Sequence, residues 1–216
     1  MSEIELIKTL ASILALAVAI IGHEIMHGYI AYRYGDNTAK NAGRLSINPL
    51  VHVDLVGTIL VPAILYFTHA PFLFGWAKPV PVNIQTVIRN GGYNGAMAVA
   101  VAGVTYNILL ATLFATILPL FTQPQDIFSI FITFFIVQSI MINVVLAVFN
   151  MWPIPPLDGS QFLMYLFAKL NMHKAVEFYE RIFPYGMIIL ITILFIPQLS
   201  HILFMPVEWI LKIILP

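Results

Sequence analysis

Long stretches of apolar residues alternate along the chain with short stretches that carry its charges, prolines and glycines. The apolar runs cover residues 9–32, 55–73, 95–121, 127–152, 157–170 and 185–205, with a short apolar tail at 207–215. A helix needs about 20 apolar residues to cross a bilayer. Four runs reach that length, namely 9–32, 95–121, 127–152 and 185–205. The runs at 55–73 and 157–170 are marginal, and we expect short or re-entrant segments there.

Two of the connecting stretches have patterns of their own. Residues 42–49 (Ala-Gly-Arg-Leu-Ser-Ile-Asn-Pro) alternate between polar and apolar and are bounded by Gly43 and Pro49. Such alternation predicts a short β-strand or hairpin near 43–50. The stretch 75–94 contains prolines and a pair of glycines, which are not compatible with one continuous helix.

The composition fits a protein that lies within a membrane. Hydrophobic residues make up 60% of the 216 positions and charged residues only 9%, whereas a soluble domain has about 25% charged residues. No stretch is polar and long enough to form a soluble domain. We therefore predict an all-α polytopic membrane protein, with residues 1–216 forming a single membrane-embedded domain.

The charges and the absence of cysteine narrow the possible partners. Ten basic and ten acidic residues give a formal net charge of zero, so nothing indicates a nucleic acid as a partner. Without cysteine there is no disulfide and no thiolate metal site. Histidine, aspartate and glutamate remain as candidate metal ligands.

The distribution of basic residues predicts the orientation in the membrane. The basic residues near the ends of the runs are Arg33, Lys40, Arg44, Lys78 and Arg89, and the connection at 119–127 has none. The positive-inside rule then places 33–54 and 74–94 in the cytoplasm and 119–127 outside. The run at 55–73 would enter and leave on the same side or lie shallow in the bilayer, and the N-terminus would be outside.

The first span contains the segment His23-Glu24-Ile25-Met26-His27. Residues four apart lie on one face of a helix, so His23 and His27 can each offer a ring nitrogen to one metal ion. Glu24 is offset by one residue and can reach a water on the metal without being a ligand. The segment matches the zinc-protease pattern H-E-x-x-H.

A structural role is the alternative for these residues, because a histidine in a helix is often only packed and hydrogen-bonded. However, an ionisable group deep in a bilayer costs at least about 2.5 kcal/mol, so such groups usually serve a function. Two histidines and a glutamate within five residues of a lipid-compatible span therefore favour a metal site.

A catalytic zinc ion usually has three protein ligands and one open position. The candidate for the third ligand is Asp158, which follows three prolines at the end of the fourth run and precedes Gly159. If the run at 55–73 does not cross the membrane, Asp158 lies at the same depth as His23 and His27. The alternative for Asp158 is a helix-capping or turn aspartate.

Asn150 lies just before the prolines, where the fourth run ends. An uncharged amide in a dry site can donate a hydrogen bond to a developing oxyanion, which makes Asn150 a candidate catalytic residue. Equally, it can be a buried asparagine that bonds to a neighbouring helix or to the broken backbone beside the prolines.

Taken together, these motifs resemble those of the site-2 protease family of intramembrane zinc metalloproteases, in its small bacterial form without added soluble domains. The resemblance lies in His23-Glu24-x-x-His27 and in Asn150-x-x-Pro153-x-Pro155-Pro156-Leu157-Asp158-Gly159. The stretches 43–49, 75–83 and 102–107 are also similar to segments of that family. The likeness extends from about residue 15 to 165, and Val104 departs from it where the family carries proline.

The resemblance implies that His23, His27 and Asp158 bind one Zn²⁺ per chain and that Glu24 is the catalytic base. It also implies a substrate that is itself a transmembrane helix and a peptide bond cut inside the bilayer. We expect a place in the bacterial inner membrane, and the distribution of basic residues puts the active site toward the cytoplasm. The alternative function is a non-enzymatic cation carrier that uses intramembrane His and Asp ligands. The position of Glu24 beside a ligand, and the lack of symmetric halves, argue against a carrier.

Overall fold

The computed structural model describes residues 2–69 and 75–215. Its helices follow the chain as α1 (Glu3–Arg33), α2 (Thr38–Asn41), α3 (Val61–Phe67), α4 (Ile84–Ile117), α5 (Ile127–Asn150), α6 (Asp158–Lys169), α7 (His173–Ile182), α8 (Gly186–Phe195) and α9 (Pro197–Ile214). A π-helical segment, Leu55–Leu60, leads into α3. Short 3-10 turns lie at Pro49–His52, Leu118–Phe121 and Phe183–Tyr185.

Four helical segments within these ranges are long and apolar enough to cross a membrane. They are Glu3–Arg33, Ile84–Phe121, Ile127–Asn150 and His173–Phe195. The prediction of an all-α polytopic membrane protein with about four transmembrane helices is confirmed.

The boundaries of the last span differ from the predicted run at 185–205. The segment begins at His173, because α7 continues through a 3-10 turn into α8, and it ends at Phe195. Pro197 follows, and proline forces the residue before it out of the helical region. Accordingly, Ile196 is extended, with φ −93° and ψ 108°.

The two marginal runs form short helical segments, as predicted. The segment Leu55–Phe67 is too short to be a candidate span. Helix α6 has 12 residues, which corresponds to about 18 Å against a hydrocarbon core of about 30 Å. Residues 70–73 of the second run lie outside the described residues.

The predicted β-strand or hairpin near 43–50 is wrong, since no strand occurs in the part of the chain that the structure describes. A strand needs a backbone partner for its N–H and C=O groups. In this loop, side chains form hydrogen bonds with backbone groups instead. Arg44 donates to the carbonyl of Lys78 at 2.6 Å, and the His52 ring bonds the carbonyl of Ser46 at 2.8 Å. The side chain of Asn48 accepts from the N–H of Leu50 and begins a 3-10 turn, a local bond that competes with sheet formation.

Helices α1, α4 and α5 pack against one another and form the centre of the molecule. The face of α1 toward its neighbours carries Ala11, Ala15 and Ala19, all fully buried and spaced four residues apart. Small side chains at this spacing let helices in a membrane approach closely. Helix α6 lies against α4, and α9 lies against α5. This arrangement brings the start of α6 next to the C-terminal half of α1.

Asp36 ties the end of α1 to the start of α4. Its carboxylate accepts hydrogen bonds from the backbone N–H and hydroxyl of Thr38 and from the N–H of Asn83. Burial alone would raise the pKa of Asp36, but these bonds to Thr38 and Asn83 stabilise the charged form and hold the pKa below its ordinary value.

Replacing Asp36 with asparagine should therefore lower the free energy of unfolding at neutral pH, by about 1–2 kcal/mol. A carboxyl whose folded-state pKa is lowered contributes stability above its unfolded pKa of about 3.9, and this contribution is lost as the pH falls through the folded-state value. Unfolding in detergent should show a similar difference between the two proteins at pH 7 and 5 and a smaller one at pH 3. A difference that does not change with pH would contradict the assigned charge.

Candidate metal centre

Three side chains from distant parts of the sequence meet where α6 begins beside α1. Nε2 of His27 lies 3.0 Å from Nε2 of His23. Oδ2 of Asp158 lies 3.2 Å from Nε2 of His23 and 3.3 Å from Nε2 of His27. His23 and Asp158 are buried, and His27 is half-buried. The structure thus brings the three predicted ligands together.

The other nitrogen of each ring faces an oxygen. Nδ1 of His23 lies 2.6 Å from Oδ1 of Asn107, and Nδ1 of His27 lies 2.7 Å from the backbone carbonyl of Val99. A carbonyl oxygen can only accept, so each Nδ1 carries the ring hydrogen and donates it. Each Nε2 of a neutral ring then presents a lone pair toward Asp158.

With both rings neutral, the centre consists of three converging acceptors without a hydrogen between them. Oδ2 of Asp158 is buried and has no hydrogen-bond donor among the described residues. Three lone pairs this close repel one another unless a cation lies among them. A tetrahedron with zinc bonds of about 2.0–2.1 Å has edges of about 3.3–3.4 Å, close to the observed spacing. The residues fit a divalent metal such as zinc.

Asp158 is placed by the irregular segment that joins α5 to α6. It is the first residue of α6, and the N-cap position belongs to Leu157. Gly159 lets α6 begin against the end of α5, because a Cβ there would lie 2.2 Å from the carbonyl oxygen of Met151. The indole of Trp152 donates to the carbonyl of Leu203 in α9 and holds the segment from the other side.

Glu24 is held beside the centre by the loop at 75–83. Its Oε2 accepts a hydrogen bond of 2.9 Å from the backbone N–H of Val80. The loop is also fixed elsewhere, since the backbone N–H of Trp76 donates to the carbonyl of Gly57 and the backbone N–H of Lys78 donates to that of His52. One oxygen of Glu24 is thus anchored to a rigidly held backbone, and this restricts the orientation of the carboxylate.

Asn150 lies at the end of α5 and lines the same cavity as the three converging side chains. Its Nδ2 donates to the carbonyl of Leu146 in its own helix at 3.0 Å. An amide nitrogen carries two hydrogens, so one remains for another acceptor. The predicted role of Asn150 as an oxyanion donor stays a prediction.

The centre opens into a cavity of about 650 Å³. Its walls come from α1, the 75–83 loop, α4, the end of α5, α6 and α8. Most of the lining is apolar, and the polar side chains in it include Glu24, Asn150, Gln161 and Tyr165. This cavity is large enough for several residues of an extended peptide beside the metal centre.

Sequence reasoning missed the contribution of α4 to this centre. Val99, Gly103 and Asn107 are four residues apart and form one stripe of α4, and this stripe packs against His23 and His27, which are also four apart. The signal was present in Gly103-x-x-x-Asn107, a small and a polar residue within an apolar span. Spacing alone could not show which helix would face it.

Gly103 gives a direct test of this packing. A Cβ at this position would lie 2.5 Å from the ring of His23, so Gly103→Ala should displace the ring and weaken zinc binding by about 10-fold or more. Gly95→Ala is the matched control, because the atoms nearest to its Cβ would belong to the side chains of Val87 and Tyr34, at 3.2 and 3.3 Å. Zinc titration of the two purified proteins checks this, and equal affinities would contradict the observed contact.

Comparison with known proteins gives two curated relatives. The chain is 33% identical over 199 residues to the Bacillus subtilis (strain 168) protein named "Putative zinc metalloprotease YwhC", covering 88% of this chain and 83% of the relative. It is 26% identical over 191 residues to "Putative zinc metalloprotease Rip2" of Mycolicibacterium smegmatis, covering 87% and 67%. No family model and no solved structure matches the chain.

Proposed function

Because the chain belongs to the site-2-protease-like family of zinc metalloproteases, we propose that it is an endopeptidase that cuts a peptide bond within the transmembrane segment of another membrane protein. The observation that carries this proposal is the meeting of His23, His27 and Asp158 beside the anchored carboxylate of Glu24. The four candidate spans support a site that lies within the bilayer.

Zinc held by His23, His27 and Asp158 would supply Lewis-acid chemistry, polarising the scissile carbonyl and making a water more acidic. Glu24 takes a proton from the attacking water as the water oxygen bonds to the carbonyl carbon. It then delivers that proton to the nitrogen of the leaving amine as the carbon–nitrogen bond breaks. The bond from Val80 keeps one carboxylate oxygen in place while the other exchanges the proton.

Asn150 is proposed to stabilise the negative charge that develops on the carbonyl oxygen. It lines the cavity that holds Glu24, and one of its amide hydrogens is not used by Leu146. A preorganised amide in a site with little water stabilises such a charge well. Asn150→Ala should then lower kcat with little change in KM, and an unchanged kcat would argue for a structural role.

The substrate is proposed to be a transmembrane helix, and the protein an integral protein of a cell membrane with the centre toward the cytoplasmic side. Arg33 lies in the last turn of the span that carries His23 and His27, which supports this orientation. A helical substrate hides its carbonyls in its own hydrogen bonds, so its cut segment must unwind to enter the cavity.

Reconstitution into vesicles tests the proposed function. Purified protein is combined with a labelled single-span substrate, and peptide products and metal flux are measured in the same preparation. A protease releases peptides, stops when a chelator removes zinc and resumes when zinc returns. Metal flux without peptide products would contradict the proposal and indicate a carrier.

A further inference from the structure

A chain of buried amides runs from His23 through α4 into α5. Asn107, Asn143 and Ser139 are all fully buried. Oδ1 of Asn107 faces Nδ1 of His23 at 2.6 Å, and Nδ2 of Asn107 donates to Oδ1 of Asn143 at 2.7 Å. Nδ2 of Asn143 in turn donates to the carbonyl of Ser139 at 2.7 Å. The metal centre is thereby connected to the middle of α5.

The neighbours of each amide determine which way it faces. Nδ2 of Asn107 lies between two acceptors, Oδ1 of Asn143 and the carbonyl of Ala19, the latter at 3.3 Å. Turning this amide over would put an oxygen against both acceptors. Asn143 is fixed in the same way, because its Nδ2 faces the carbonyl of Ser139. Only this orientation of the two amides places each Nδ2 against an acceptor.

The two histidines differ in how their rings are held. The ring of His27 is held by a backbone carbonyl, that of Val99, which no side-chain substitution removes. The ring of His23 is held by a side chain, that of Asn107. Polar contacts between membrane helices add only about 0.6 kcal/mol of stability on average, so stability alone accounts poorly for two amides buried here. A partner on the second nitrogen of a ligand histidine sets its tautomer and ring orientation.

We propose that Asn107 and Asn143 are positioning residues for the metal centre. Asn107 holds His23 with its Nε2 lone pair toward the metal, and Asn143 acts through Asn107 by fixing the direction of its amide. This proposal rests on the metal centre of the proposed function, and it concerns metal affinity rather than cleavage.

The test measures zinc affinity by competition with a chromophoric chelator, and the absorption spectrum of the cobalt-substituted protein. Asn107→Leu should bind zinc about 10–100-fold more weakly and change the cobalt spectrum, the usual cost of losing such a partner. Asn143→Leu should lie between Asn107→Leu and the wild type. The control Thr105→Val removes an exposed hydroxyl that bonds the carbonyl of Val101 in its own helix, α4, and it should leave both readouts unchanged.

Asn107→Asp separates positioning from packing, because the acid form of aspartate has the shape of the amide, keeps an acceptor oxygen toward Nδ1 of His23 and can donate its hydroxyl to Oδ1 of Asn143. It should bind zinc at least about 10-fold more tightly than Asn107→Leu. Equal losses in these two variants, or wild-type affinity in Asn107→Leu, would overturn the proposal. If Asn107→Leu does not fold, Asn143→Leu decides, and wild-type affinity with an unchanged cobalt spectrum would overturn it.

The same measurements separate this proposal from the proposed function. A wild-type protein that binds zinc and cuts no substrate would contradict the protease and leave the role of Asn107 standing. An active protease whose Asn107 variants bind zinc as tightly as the wild type would support the proposed function and contradict the role of Asn107.

Discussion

Replacing Glu24 with glutamine should abolish peptide cleavage and leave zinc bound. The amide has the shape of the carboxylate and can still accept the hydrogen bond from Val80 through its oxygen. It cannot take up a proton from water, however, and so cannot return one to the leaving amine. Loss of a general acid and base lowers the rate by about 10²–10⁴-fold. None of the three converging side chains is altered, so the metal should stay.

The measurement is the initial rate of cleavage of a single-span substrate in vesicles, with bound zinc determined in the same samples. Glu177→Gln is the matched control, since it makes the same chemical change on the exposed face of α7, where Glu177 pairs with Arg181 at 3.6 Å. It should retain the wild-type rate. A Glu24→Gln protein with more than a tenth of the wild-type rate, or without zinc, would contradict the assigned role.

Replacing Asp158 with alanine should remove both zinc and activity. Two imidazoles would remain at the centre, one protein ligand fewer than a catalytic zinc ion usually has. Loss of a partner outside the ligand set already costs about 10–100-fold in metal affinity, and loss of a ligand should cost more. Zinc content after dialysis against a weak chelator, measured by mass spectrometry, checks this expectation.

Asp126→Ala is the control for the loss of an aspartate. Asp126 lies in the connection at 119–127 and is the N-cap residue of α5. Its carboxylate accepts a hydrogen bond from the N–H of Ser129 at 2.7 Å. Removing a cap costs about 1 kcal/mol of stability, but it should not change the zinc content. If Asp158→Ala kept stoichiometric zinc, the third ligand would have to be another residue.

The sequence predicted the parts of this fold that depend on local periodicity. Apolar runs of sufficient length gave the four spans, and the spacing of four between His23 and His27 placed both rings on one face. The expectation that Asp158 meets these rings followed from charge and depth, on the premise that the run at 55–73 does not add a crossing. Helix and topology signals of this kind need no knowledge of side-chain contacts.

Features that depend on contacts between distant residues could not be predicted in this way. The strand near 43–50 failed because Arg44 and His52 bond to backbone carbonyls that only the folded loop brings near. The hydrogen bonds between Val80 and Glu24 and between Asn107 and His23 also join residues far apart in the sequence. Periodicity does not identify the partner of a buried polar group.

The cut site itself tests the central claim most directly. The purified protein is incubated in vesicles with a single-span substrate, and the new ends of the products are located by mass spectrometry. Ends inside the hydrophobic segment of the substrate, formed by the wild type with zinc and absent with Glu24→Gln, are the predicted result. Intact substrate, or ends only in the segments outside the bilayer, would contradict an intramembrane zinc endopeptidase.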